Sequence, residues 1–314
     1  METQTPNTIL YMIFGSHLYG TNTPLSDKDY KGIFIPTEHE IYTGTIPKSI
    51  TVSRGDDNIK NTSADVDCEL YSLQYFLKLA CEGQTVALDM LHSGPQHWMV
   101  HGPMWTYLWK NRSWFYTKNL SAFVGYARQQ AAKYGIKGSR LQQAQKAADF
   151  LRDKKGKVGE YWEQLWENDY CHKMFNGTHC IWQVCGKGVS ETSWCHFAAD
   201  MLDAFVEQYG ARAEMARQNK GIDWKAISHA LRAGIEAKMI IKDGGFTFPL
   251  PEVEYLRQVK AGERDYLTDV APTLENLMSE LETLSKSSTL PDKVDRKKVD
   301  RWLVESIKEY YSAV

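Results

Sequence analysis

The chain has 314 residues, with 37 Lys and Arg against 39 Asp and Glu, a formal net charge of −2 at pH 7 and 43% hydrophobic content. This composition suits one large or two ordinary globular domains and excludes bulk disorder. The near-neutral charge excludes a surface given over wholly to nucleic acid or membrane, so any such contact needs local basic patches. No apolar run reaches the roughly 20 residues of a membrane helix, and METQTPNT lacks a signal-peptide pattern. The six cysteines are spread over a long chain and suit reduced thiols, so the expected location is the cytoplasm with no membrane partner.

The elements follow in order. TILYMIF (8–14) is an apolar run with β-branched and aromatic members and predicts a strand, ended by Gly15-Ser16. HLYGTNTPLS predicts a short turn of helix closing at Gly20 and a loop through Pro24. DKDYKGIFIP alternates into a second strand stopped by Pro36. Residues 37–63 are polar and read as loop with short strands. SADVDCELYS alternates acidic and other residues, as a third strand with a carboxylate-bearing face would. Leu73, Phe76, Leu77 and Ala80 then repeat at helical spacing, with Ser72 as N-cap and Gly83 as stop. Residues 84–118 predict short helices over the sheet. Beyond residue 119 the pattern is mostly helical, apart from a β-hairpin at 177–194 and a strong amphipathic helix at 269–285. The residue pattern thus predicts an α/β N-terminal domain over 1–115 and a mainly helical domain over 116–314.

Asp27 and Asp29 are two apart on an expected strand, so they leave the same face. Two such carboxylates repel, and folding alone gives little reason to pair them. A divalent cation, Mg²⁺ or Mn²⁺, removes that repulsion and takes carboxylate oxygens together with substrate phosphates. Gly15 lets backbone approach a phosphate, and the Ser16 hydroxyl with nearby N–H groups can donate to it. Asp65, Asp67 and Glu69 would share a face of the third strand, and each could supply a third carboxylate. The bland alternative for the Asp pair is a solvated edge strand with an Asp-turn.

Gly15-Ser16, ten residues, Asp27-Lys28-Asp29 and a later acidic strand resemble the active-site signature of the DNA polymerase beta-like nucleotidyltransferase superfamily. GSHLYGTNTPLSDKDYKGIFI is similar to its RlaP-type branch, the predicted nucleotidyltransferases associated with RNA ligases. FVGYARQQAAKYGIKGSRL (123–141), YGARAEMARQNKGIDWKAISHALRAGIEA (209–237) and SKSSTLPDKVD (285–295) extend the resemblance over most of the chain. It implies an α+β fold, with a mixed-sheet catalytic domain followed by a mainly helical domain that contributes to nucleotide or acceptor binding. It further implies that Gly15 and Ser16 bind the triphosphate of an NTP substrate and that Asp27 and Asp29 bind metal. A third acid would help deprotonate the attacking hydroxyl; Asp67, between Val66 and Cys68, fits best, with Glu69 as the alternative. The branch's association with RNA ligases implies an RNA acceptor, a tRNA end or a repair substrate. Nucleotidylation of a protein or small molecule, a non-catalytic nucleotide binder and a metal-dependent phosphohydrolase are the competing readings.

In the helical region, Lys225, His229, Arg232 and Glu236 fall on one face of the helix beginning near Trp224, with Ile227, Leu231, Ile235 and Met239 as the apolar stripe. Lys225, His229 and Arg232 could contact triphosphate or acceptor, or the face could simply be solvated. Lys133, Lys137 and Arg140, around two glycines, could hold phosphate or RNA or merely cap helix ends. Cys171, His172, His179, Cys180, Cys185, Cys195 and His196 invite a zinc reading, but their gaps match no common zinc motif, and buried thiols are the preferred account.

Overall fold

The computed structural model describes residues 7–54, 66–119, 138–168 and 170–312. Contacts divide it into two compact units, one of Met1–Arg128, Trp224–Glu263 and Thr273–Val314, the other of Gln129–Asp223 and Arg264–Pro272. Where the sequence pattern suggested a boundary at residue 115, these units return two later stretches to the company of the N-terminal sheet.

The first unit opens with β1 (Asn7–Ile13), α1 (Gly15–Tyr19), β2 (Lys28–Ile35), α2 (Glu38–Thr43), β3 (Ser49–Arg54) and β4 (Val66–Ser72). It continues with α3 (Leu73–Cys81), α4 (Thr85–His92), β5 (Trp98–His101) and α5 (Pro103–Lys110). The sheet order is β3-β4-β2-β1-β5. Among the described strands of this sheet the central β2–β4 pair is parallel, and the others run antiparallel. It is the mixed sheet of an α+β fold. The apolar runs account for its centre: Leu10 and Met12 of β1 and Ile33, Phe34 and Ile35 of β2 are buried, as are Leu73, Phe76, Leu77 and Ala80 of α3. Ser72 occupies the N-cap position of α3, but its hydroxyl donates to the Lys48 carbonyl at 3.3 Å rather than accepting from the helix. In the stretch read as loop, Thr37 and Glu40 form a reciprocal capping box that starts α2.

The second unit has α6 (Gly138–Arg152), a three-stranded antiparallel sheet of β6 (Cys171–Phe175), β7 (Cys180–Val184) and β8 (Lys187–Ser190), and α7 (Cys195–Arg217). The hairpin expected at 177–194 is β7–β8, and β6 adds a third strand. Trp182, Ala144, Ala147, Leu151 and Leu202 form its core with Cys171, Cys185 and Cys195. Those three thiols are thus apolar packing groups.

The chain then gives the first unit α8 (Trp224–Asp243), α9 (Val253–Ala261), most of α10 (Ala271–Ser287) and α11 (Arg296–Ser312). No helix among the described residues is long and apolar enough to cross a membrane.

Close backbone packing in β2 imposes one clear residue requirement. A Cβ at Gly32 would lie 2.5 Å from the Leu10 carbonyl oxygen of β1 and 2.5 Å from Leu70 Cδ2 of β4. Gly32→Ala must therefore spread the sheet at its centre, and urea unfolding is expected to show a loss of about 1–3 kcal/mol. An unfolding midpoint equal to wild type would show that the strands have room to yield.

Candidate active site

The site is built at the ends of adjacent strands. β1 ends at Ile13, and the chain turns at Gly15 with φ of +58°, a conformation glycine adopts without strain. The Phe14 N–H donates to the Asp29 carbonyl at 2.8 Å, fastening the turn to β2. A Cβ on Gly15 would collide with the Asp29 carboxylate, so glycine is what lets the turn and this side chain touch. Asp27 immediately precedes β2, and Asp29 lies in its first turn of pleat. The parallel register sets Asp29 directly beside Asp67 of β4. Ser16 is buried in α1, and among the described residues its hydroxyl has no hydrogen-bond partner.

This crowding has an electrostatic signature. Burial, then the charge of Asp27, and further on that of Asp67, raise the Asp29 carboxyl above its ordinary range, against the opposing pull of Lys225 and Lys31. Glu69 is in a different environment two pairs further along the ladder. Its carboxylate accepts from Lys31 Nζ and the Tyr71 hydroxyl, each at 2.6 Å. Burial would raise it, but these hydrogen bonds prevail and hold it below the usual carboxylate value.

Cations face the carboxylates from the helices. Lys225 on α8 is exposed and acts electrostatically on Asp29. Lys260 on α9 is a group the sequence reading missed. Burial and the charge of Lys225 lower its pKa, while Asp27 and Asp29 pull it back. Two lysines thus stand near two aspartates, one of the lysines half-buried, although the amphipathic pattern of α9 gives Lys260 no distinguishing mark.

Arg232 and His229 lie deeper. Arg232 is 4% exposed, and its Nη1 donates to Asp89 Oδ2 at 2.8 Å and to Glu236 Oε1 at 2.5 Å. Its guanidinium covers the Tyr19 ring at 3.7 Å, and the Tyr19 hydroxyl donates to Asp89 at 2.8 Å. Burial opposes the Arg232 charge, but Asp89 and Glu236 outweigh it and raise its pKa; burial lifts Glu236 well above the carboxylate range. His229 Nδ1 is 2.9 Å from Arg232 Nη2, and burial and that guanidinium push the imidazole down to about 4, so it is neutral at pH 7. The α8 face read as either substrate-binding or solvated therefore splits: Lys225 is open to solvent, whereas Arg232 and Glu236 are packed inside. Asp89 also escaped the sequence reading, although a lone acid within the apolar run VALDML was a usable signal.

Asp65, Lys133 and Lys137 lie outside the described residues; Arg140 falls early in α6, and its side chain is likewise outside them. Among the described residues, no three His, Cys, Asp or Glu side chains stand close enough to enclose a metal ion by themselves. Chemically, the Asp27, Asp29 and Asp67 set still fits a hard divalent cation, because it offers only carboxylate oxygens and the mutual repulsion seen at Asp29 is what such a charge relieves.

The Gly-Ser turn and the acids at the start of β2 stand together on a mixed sheet, the arrangement that the resemblance to the DNA polymerase beta-like nucleotidyltransferases implies. Residues 1–153 match the RlaP family, described as an RNA repair pathway DNA polymerase beta family. An uncharacterized 38.9 kDa protein from the nrdC–mobD intergenic region of Enterobacteria phage T4 is 35% identical over 334 residues, spanning 97% of this chain and 99% of the phage protein. The chain belongs to the RlaP family. A nucleotidyltransferase-like protein from Exiguobacterium sibiricum aligns over 90% of this chain and 70% of its own at 11% identity, with a TM-score of 0.25, a likeness too slight to bear on the fold.

The raised Asp29 carboxyl has a consequence for stability. A carboxyl with a native pKa above its unfolded one costs stability at pH above the native value, and the cost disappears as pH falls through that value towards the ordinary carboxylate range. Asp29→Asn removes the charge with little change of shape. Its Tm is expected to exceed wild type at pH 7, with the gap closing on acidification towards pH about 4. A Tm at or below wild type at pH 7 would mean that the lysines more than compensate the repulsion.

Proposed function

We propose that this protein transfers a nucleoside monophosphate from an NTP to an acceptor hydroxyl, with RNA, a tRNA end or a broken strand, as the acceptor. The observation that carries the reading is the juxtaposition of Asp29, crowded by Asp27 and Asp67, with the Gly15-Ser16 turn and with Lys225 and Lys260. Carboxylates and lysines gathered at a buried serine hydroxyl that has no partner among the described residues suit a polyphosphate and the ions that accompany it.

In this reading the Ser16 hydroxyl and the turn's backbone N–H groups donate to the triphosphate, while Lys225 and Lys260 neutralise its charge. Asp27 and Asp29, with Asp67, would hold Mg²⁺ or Mn²⁺, which supplies positive charge to the phosphates and makes the acceptor hydroxyl more acidic. Asp67 takes the acceptor's proton. The hydroxyl oxygen bonds to the α-phosphorus, the bond from that phosphorus to the bridging oxygen breaks, and pyrophosphate leaves with the electron pair. His229 and Arg232 act from behind: the Arg232–Asp89–Tyr19 contacts join α8 to α1, and so Lys225 to Ser16. Lys133, Lys137 and Arg140 remain candidates for acceptor contacts.

Purified protein incubated with each α-labelled ribonucleoside triphosphate, Mg²⁺ or Mn²⁺ and total RNA is expected to label an RNA species. Asp27→Ala/Asp29→Ala should lower the rate about a thousandfold or more. Lys260→Met should raise the KM for NTP about tenfold, the effect of one lost charge-assisted hydrogen bond. Wild-type rates in the double aspartate variant would sink the proposal. Label on protein instead of RNA would move the acceptor to a polypeptide.

A further inference from the structure

Positive charge and aromatic surface coincide a second time, away from the carboxylates. Residues 293–301 carry five cations, Lys293, Arg296, Lys297, Lys298 and Arg301, against Asp295 and Asp300, in a chain whose net charge is −2. Both acids are already engaged: Asp300 accepts from Arg296 at 2.8 Å, and Asp295 accepts from the Lys298 backbone N–H at 3.1 Å. Among the described residues none of Lys297, Lys298 or Arg301 is in an ion pair.

This end of α11 packs beside α5 and the 3-10 turn Arg112–Phe115. Trp302 stacks on Tyr107 with centroids 5.8 Å apart and planes within 5° of parallel. Trp114 meets the Tyr107 ring edge-on at 5.8 Å, and the Lys298 ammonium sits over Trp114 at 4.2 Å. Tyr107 nevertheless keeps 45% of its surface in solvent. It forms one wall of an open hollow of about 400 Å³ whose lining also includes His101 and Lys110. His101 pairs with Leu10, five residues back along the chain from Gly15, so the hollow lies on the order of 15 Å from the Gly15–Asp29 contact.

We propose that this surface binds single-stranded RNA, with a base stacked against Tyr107 in the hollow and the backbone running over Lys298, Lys297 and Arg301. An aromatic platform flanked by unpaired cations is the arrangement that holds unpaired strands with little regard to sequence. A polyanion without rings, such as an acidic peptide, would use the lysines and leave the Tyr107 hollow without purpose. The choice of RNA over another strand rests on the acceptor reading above, but the surface binds without turnover, so the two can fail separately.

The test is fluorescence anisotropy with a fluorescein-labelled single-stranded RNA of about 15 nucleotides, between about 50 and 200 mM salt. Lys297→Glu/Lys298→Glu/Arg301→Glu is expected to bind at least about tenfold more weakly, with a shallower salt dependence. Tyr107→Ala should weaken binding about fivefold with the salt dependence unchanged. Asp27→Ala/Asp29→Ala should bind as wild type does, whether or not any transfer is ever detected. Wild-type affinity in the triple charge variant, at a wild-type melting temperature, would overturn the proposal. So would displacement of the RNA by polyglutamate as readily as by unlabelled RNA, which would assign the surface to an acidic protein. Loss of binding in the aspartate variant alone would place the RNA at the carboxylates instead.

Discussion

Where β2 and β4 run parallel, the Asp29 carboxyl is held half-buried and close to the charges of Asp27 and Asp67, and the surrounding unit has to accommodate it. Parallel pairing puts Asp29 and Asp67 side by side, and the Phe14 N–H bond holds the Gly15 turn against the same residue. Nothing in the sheet core asks for this arrangement, since Ile33, Phe34 and Ile35 at the other end of β2 supply its burial. The acidic end is therefore a local cost supported by a well-packed strand.

The cations that offset this cost come from far along the chain. Lys225 and Lys260 are on helices that belong to the sheet's own unit although some hundred and fifty residues or more separate them from β4. Lys260 is pulled two ways, its charge disfavoured by burial and by Lys225 and favoured by Asp27 and Asp29. A polyanion placed beside Lys260 would act in the same direction as Asp27 and Asp29, favouring the charged lysine.

The strands and α3 were legible because their cause is local: apolar alternation or helical spacing, ended by Gly, Pro or a polar turn. The sequence reading put Asp27 and Asp29 on one face of a strand, but β2 begins at Lys28, so Asp27 stands just before the strand and acts on Asp29 through its charge. The third carboxylate was harder, because three acids alternate along that strand. The register separates two of them, Asp67 opposite Asp29 and Glu69 opposite Lys31, and register is a tertiary property. α2 was missed although Thr37 and Glu40 carry its capping box, because a polar helix with no buried residue has no hydrophobic period to read.

Arg232 shows where one-dimensional reading of charge stops. On a helical wheel it shares a face with Lys225, yet Lys225 is exposed and Arg232 is sealed against Asp89, Glu236 and Tyr19. The difference lies in what packs against each turn of α8, and the partner elements α1 and α4 lie more than a hundred residues earlier. A buried guanidinium with two carboxyl groups contributes little net stability compared with an apolar cluster, because desolvation opposes the attraction. What it provides is geometry: its planar donors fix the relation of α8 to α1 and α4 more sharply than apolar packing would. Since α1 carries Ser16 and α8 carries Lys225, the same contact ties together the two helices that bear them. The charge concealed in the core thereby positions the charge displayed at the surface.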